Sequence, residues 1–226
     1  MTNQHRRQAD SKPTSLFEAG VGEPNPGRYL EGSQEQNAYL NAYHAGGRAA
    51  MYLVGYELGA AETKARIDNK TGLLNSLGLE EAYSVFQLGN VPTSILFVDL
   101  DHFSQINEQI LHGPADRLLN VIGQFIAGHL RENDVVGRHG GDEFVALLPG
   151  TTSEDAFAIA ERIGGSIAAI SEIDGQAIRP TASTGIAEVQ PDIPYHAAVD
   201  LADTAMYQAK QAGRNTVVIL GQPDAA

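Results

Sequence analysis

Arg138-His139-Gly140-Gly141-Asp142-Glu143-Phe144 decides how the rest of the chain is read. Asp134-Val135-Val136-Gly137 leads into it, and Phe144-Val145-Ala146-Leu147-Leu148 leaves it as an apolar run closed by Pro149-Gly150. Two short strands around a tight Gly-Gly turn read as a β-hairpin. Glycine at such a turn supplies unusual backbone angles and lets another backbone or a phosphate come close. The adjacent acids Asp142 and Glu143 are the hard oxygen donors that a cation such as Mg²⁺ needs. On its own the stretch reads equally well as a solvated acidic hairpin. The remaining sequence separates the two readings.

The chain has 226 residues, 42% of them hydrophobic and 19% charged, which suits one globular domain with extensions. It has no cysteine, so disulfides and thiolate metal sites are excluded. Apolar runs such as Ile95-Leu96-Phe97-Val98 are too short to span a bilayer, and no apolar segment follows Arg6-Arg7. A cytoplasmic protein without a membrane partner is expected. The net charge is −13, and residues 67–226 carry all of the excess, with 21 acidic against eight basic residues. That field disfavours a nucleic-acid polymer as partner. It leaves room for an anionic ligand that arrives with a divalent cation and meets a few placed Lys or Arg side chains.

Outward from the hairpin, the chain divides by composition. Residues 1–34 are polar and rich in Gly and Pro and read as a disordered or loosely packed arm. Over 35–67, Tyr39, Tyr43, Leu53, Val54 and Leu58 recur near helical spacing and predict an N-terminal helix for dimerisation or linkage. Asp68-Asn69-Lys70-Thr71-Gly72 marks a turn, and a helix is expected from about Ser76 to Gln87. Thr93 to Asp101 reads as a buried central strand ending in acid. Asp101 suits the N-cap of a following helix, whereas Asp99 does not. Helical pattern continues at Phe103–Asn107 and again from Ala115 to Leu130, with a break around His112-Gly113-Pro114. After the hairpin come a helix over 153–170 capped by Ser153 or Glu154, a strand over 180–189, a helix over 197–212 closed by Gly213, and a strand over 216–220. Residues 221–226 are a tail. This order predicts an α/β (α+β) sandwich, a central, mostly antiparallel sheet with helices on its faces.

From Asp68 to Leu220 the chain resembles the GGDEF family, the diguanylate cyclases. The resemblance rests on Asp68-Asn69-Lys70-Thr71-Gly72-Leu73-Leu74-Asn75, on Asp99-Leu100-Asp101-His102-Phe103 with Ile106-Asn107 and Asp116, and on Gly140-Gly141-Asp142-Glu143-Phe144. Ser183-Thr184-Gly185-Ile186-Ala187, Ala202 to Lys210, and Gly213-Arg214-Asn215 extend it. It implies a nucleotidyl-cyclase-like domain over 68–220 that condenses two GTP into cyclic di-GMP and two pyrophosphates. Each domain would hold one GTP, so a homodimer would be needed.

Residue roles follow from the resemblance. Asp99, the carbonyl of Leu100, Asp142 and Glu143 would hold Mg²⁺, or Mn²⁺ in its place. Asp142 and Glu143, with Gly140 and Gly141, would form the catalytic turn, and Glu143 would assist the metal or deprotonate the attacking hydroxyl. Asn107 and Asp116 would read guanine. His102, Phe103, Ser104, Lys210 and Arg214 would line the triphosphate. Lys210 and Arg214 also fit plain cations at a helix C-terminus. Arg131 and Asp134, with Arg162 on the next helix, would bind cyclic di-GMP as an inhibitor, although Arg-x-x-Asp alone is often a surface ion pair. The chain departs from the family pattern at Lys70 for a usual Leu, at Ser104 for a usual Lys, and at Glu108, Leu111 and Ala115. Leu111 and Ala115 are expected to crowd the nucleotide pocket or to shift its helix. These departures keep open a second reading, a weakened domain that senses GTP or cyclic di-GMP. His112 and His139 lack a ligand set for zinc.

Overall fold

The computed structural model describes residues 65–88, 90–110 and 112–221. The predicted arm, almost all of the N-terminal helix, Leu111 and most of the tail lie outside them. Residues 65–75 form the entrance. Asp68 Oδ1 accepts hydrogen bonds from the Thr71 backbone N–H (2.9 Å) and hydroxyl (2.8 Å), closing the turn that the sequence marks there. Asn75 Oδ1 then accepts from Gly78 N at 3.1 Å and starts helix α1 (Ser76–Leu88).

Strand β1 (Thr93–Leu100) follows and is buried along its whole length. Helices α2 (Phe103–Ile110) and α3 (His112–Gly128) come next. α3 begins three residues earlier than expected, so His112-Gly113-Pro114, where a break was predicted, lie in its first turn. Pro114 is tolerated because the first N–H groups of a helix have no partner within it. Strands β2 (Val135–Gly140) and β3 (Glu143–Pro149) form the hairpin. Gly140 pairs with Glu143, so the turn is centred on Gly141-Asp142 rather than on the two glycines. Gly141 has φ +46°, a region that favours glycine.

Helix α4 (Ser153–Ala168) is capped by Thr152, whose hydroxyl accepts from Asp155 N at 3.2 Å, not by Ser153 or Glu154. A small hairpin, β4 (Glu172–Ile173) and β5 (Gln176–Ala177), turns on Asp174-Gly175 and was not expected from the sequence pattern. Strand β6 (Ala182–Val189), helix α5 (Tyr195–Gln211) and strand β7 (Val217–Ile219) complete the domain.

The main sheet has the order β2-β3-β1-β6-β7, antiparallel except where β7 runs parallel to β6. Side-chain alternation builds a core on each face. Ile95 and Phe97 pack with α1 and α5, while Leu96, Val98 and Leu100 pack with α3 and α4. Ala115 lies in the second core, 2% exposed, so it packs inward. Gly185 lets β6 touch α5, since a Cβ there would stand 2.1 Å from Ala202 O and Met206 N. This close packing brings the C-terminal end of α5 against the ends of β1 and β6, beside the β2–β3 turn.

Candidate functional site

At that end of the sheet lies a cleft of about 510 Å³. Asp99, Leu100, Asp101, His102, Phe103, Ser104, Asn107, Asp142, Lys210 and Arg214 line it. Nine of these ten were expected at the site; Asp101 was not. β1 supplies Asp99 and Leu100 because its apolar run ends there. The register places Asp99 opposite Glu143 on one side and Ser183 on the other. Alternation turns Asp99 towards α5, where Lys210 Nζ meets its Oδ2 at 2.8 Å.

Burial, together with the nearby charges of Asp142 and Asp101, pushes the Asp99 carboxyl above its ordinary range, although Lys210 pulls it back. Burial also raises Glu143, with Asp99, Asp142 and Asp203 adding repulsion. Asp203, on α5, was not expected near this group. The carboxylates thus crowd one another, and a lysine ammonium already offsets part of their charge. No three His, Asp or Glu side chains among the described residues converge closely enough to hold a metal ion unaided.

The turn is held from below. Arg138 donates through Nε to the Gly141 carbonyl at 2.9 Å and through Nη2 to the same oxygen. Its Nη1 reaches Asp68 at 3.1 Å. Sequence pattern alone assigns Arg138 no role, although a cation beside a Gly-rich turn is the available signal. Gly140 has a different character. It has ordinary φ, and a Cβ there would meet only Glu143 Oε2, at 3.6 Å. The fold therefore does not demand glycine at 140.

Asp101 corrects an expectation. The helix N-cap role falls to His102, at φ +55°, whose carbonyl accepts from Gln105 N (2.9 Å) and Ile106 N (3.2 Å). The Asp101 carboxylate instead accepts from the Thr181 hydroxyl (2.7 Å), the Ser183 hydroxyl (2.7 Å) and Asn215 N (3.0 Å).

The remaining expected residues stand apart from the cleft lining. Asp116 is half-exposed on α3 and pairs with Lys70 Nζ at 2.7 Å. Arg131 and Arg162 are exposed, the latter on α4. Asp134 is 2% exposed, and its Oδ2 accepts from Arg131 N at 2.8 Å. Its carboxyl is raised by burial, with Arg131 opposing. The Arg131–Asp134 pair is therefore a closed turn presenting the Arg side chain outward. No helix among the described residues is long and apolar enough to cross a membrane.

The family model for the diguanylate cyclase GGDEF domain matches residues 65–216. Diguanylate cyclase DgcP of Pseudomonas aeruginosa is 34% identical over 69% of this chain, and diguanylate cyclase A of Treponema denticola 34% over 64%. The chain spans 24% and 40% of those two proteins. Among solved structures, diguanylate cyclase SiaD of Pseudomonas aeruginosa, crystallised with its activator SiaC, superimposes with a TM-score of 0.65 at 33% identity. That match covers 68% of this chain and 61% of SiaD. Motifs, sheet order and family match agree, and the chain belongs to the GGDEF family of diguanylate cyclase domains.

Proposed function

We propose that this protein is a diguanylate cyclase, joining two GTP molecules into cyclic di-GMP with release of two pyrophosphates. The carrying observation is the cleft that gathers Asp99, Asn107, Asp142, Lys210 and Arg214. Acid, amide and cation in one pocket suit a nucleoside triphosphate. The relatives named diguanylate cyclase support the same chemistry.

In this reading Asn107 and Asp116 take the guanine edge. A carboxylate accepts from guanine N1 and N2 hydrogens, which adenine does not present in that arrangement. Lys210 and Arg214 hold the triphosphate, with His102, Phe103 and Ser104 along its path. Gly140 leaves open the space a side chain would fill, which suits close approach of a phosphate.

The residues present fit Mg²⁺. Asp99, Asp142, Glu143 and the Leu100 carbonyl are hard oxygen donors, and the Lys210 ammonium beside Asp99 marks a place where positive charge is favoured. Mg²⁺ or Mn²⁺ bound there would lower the pKa of the attacking hydroxyl and offset phosphate charge. Glu143 is suited to accept the 3′-hydroxyl proton, because its raised carboxyl is a stronger base than an exposed glutamate. The 3′-oxygen then bonds to the α-phosphorus of the facing GTP, and the bond to pyrophosphate breaks. Each domain supplies one GTP, so two copies of the chain must face each other. Orientation and electrostatics supply most of the rate. Arg131, with Arg162, would bind product as an inhibitor, and Asp134 would shape the Arg131 turn.

The Lys70–Asp116 pair favours a second reading, a domain that binds guanine nucleotide weakly and acts as a sensor. Incubation of purified protein with GTP and Mg²⁺, followed by mass analysis, separates the two. Cyclic di-GMP formed by the native chain and lost in Asp142→Ala supports the cyclase. Nucleotide binding without product supports the sensor.

A further inference from the structure

Asp101 is a buried carboxylate, 3% exposed, to which the proposed chemistry gives no part. Its three hydrogen bonds join distant pieces of the chain. Oδ1 takes the Ser183 hydroxyl, at the start of β6. Oδ2 takes the Thr181 hydroxyl and the backbone N–H of Asn215. The last contact is the unusual one. Between α5 and β7 the backbone passes through Gly213, Arg214 and Asn215 with φ of +119°, +67° and +45°. Two consecutive non-glycine residues in the left-handed region persist only where surroundings over-determine them. The turn is held by Arg214 N on Ala209 O at 3.1 Å and by Asn215 N on Asp101. The bond to Asp101 is charge-assisted and part-buried, which makes it the stronger restraint.

We propose that Asp101 is a positioning residue for nucleotide binding. Its carboxylate fixes the Arg214-Asn215 turn against the start of β6 and so directs Arg214 into the cleft that both residues line. Asp101 acts through this turn, not by touching the nucleotide. The inference rests on the reading of Arg214 as a triphosphate contact. It predicts that losing the carboxylate weakens grip on the β- and γ-phosphates and leaves recognition of the base and first phosphate in place.

The test is a binding comparison in the full chain, with Mg²⁺ present, using the β,γ-imido analogue of GTP and, separately, GMP. Native protein, Asp101→Asn, Arg214→Ala and the double variant are titrated by calorimetry. Asp101→Asn is expected to weaken the triphosphate analogue about tenfold and GMP by less than about twofold. In the Arg214→Ala background the same change is expected to add less than about twofold, the non-additivity of two residues acting as a unit. Equal loss for both ligands, no loss, or full additivity would overturn the proposal. If Arg214→Ala itself leaves the analogue's affinity unchanged, the triphosphate role of Arg214 falls, and this inference with it. Ser183→Ala removes one donor and spares the carboxylate, so it serves if Asp101→Asn does not fold. It should weaken the analogue selectively by about two- to threefold, and an unchanged ratio of analogue to GMP affinity would overturn the proposal.

Discussion

Arg138 links Asp68 to Gly141, so the residue that opens the domain is tied to the turn that carries Asp142. The Asp68 carboxylate also receives both donors of Thr71. Burial alone would raise its pKa, but the Thr71 and Arg138 contacts outweigh it and hold the group below its ordinary value of 3.8. A depressed carboxylate adds stability above its unfolded pKa and loses it as the pH falls through its folded pKa. Arg138→Met should therefore destabilise the domain by about 1.5–3 kcal/mol at pH 7, the range for losing hydrogen bonds to a charged group. The difference from the native chain should shrink in acid, below that ordinary value. Arg138→Lys should recover only part, since an ammonium cannot reach two partners in a fixed fork. Urea unfolding at pH 7 and in acid measures both. A loss that does not change with pH would sever the Asp68 link.

Lys70 and Asp116 form a second pair, separated by 46 residues in the chain. Both side chains are about half exposed, so the pair contributes no more than about 1 kcal/mol. If Asp116 reads guanine, the base must compete with that ammonium. Lys70→Leu should then lower KM for GTP by up to about fivefold, the equivalent of that energy, with kcat unchanged. A rise in KM would instead make Lys70 a contact to the base. Steady-state kinetics of the two proteins decides.

Gly185 is required by packing and not by backbone angle. A Cβ at this position would overlap the α5 backbone, which cannot move aside as a flexible side chain can. Gly185→Ala should cost at least about 3 kcal/mol, the upper end of overpacking penalties. A shift of less than about 1 kcal/mol in urea unfolding would mean that α5 rides further from the sheet.

What the sequence revealed and what it hid follow the range of the interactions. The β2–β3 hairpin, the buried β1 run and the amphipathic α4 were legible because each is written in local pattern. The ends of elements were less so. Thr152, not Ser153 or Glu154, caps α4, and it differs by one position from Ser153, a comparably suitable cap. The β4–β5 hairpin carries an Asp174-Gly175 turn signal, but its strands are two residues long and show no alternation. Asp101 is misleading in the sequence for a stronger reason. An acid before a helix looks like a cap, while its actual partners Thr181, Ser183 and Asn215 lie 80 or more residues downstream. The site carboxylates are legible as a motif. Their mutual repulsion, and the Lys210 contact that relieves it, exist only once β1, β3 and α5 meet.

Asp134 gives the opposite pH signature to Asp68. It is buried, and its folded pKa lies above the ordinary value because desolvation outweighs the help from Arg131. The folded state therefore binds this proton more tightly than the unfolded state. Its contribution to stability is greatest below the unfolded pKa and declines as the pH rises through the raised folded value. Asp134→Asn keeps an oxygen to accept from Arg131 N and has no charge to bury. The variant should thus gain on the native protein as the pH rises from the acid side of 3.8 to neutrality. Its advantage or deficit in urea unfolding, taken at several pH values, gives the slope directly, whatever the fixed cost of burying the amide. A slope of the reverse sign would mean that the Arg131 N–H and charge outweigh burial and hold Asp134 ionised in the folded chain.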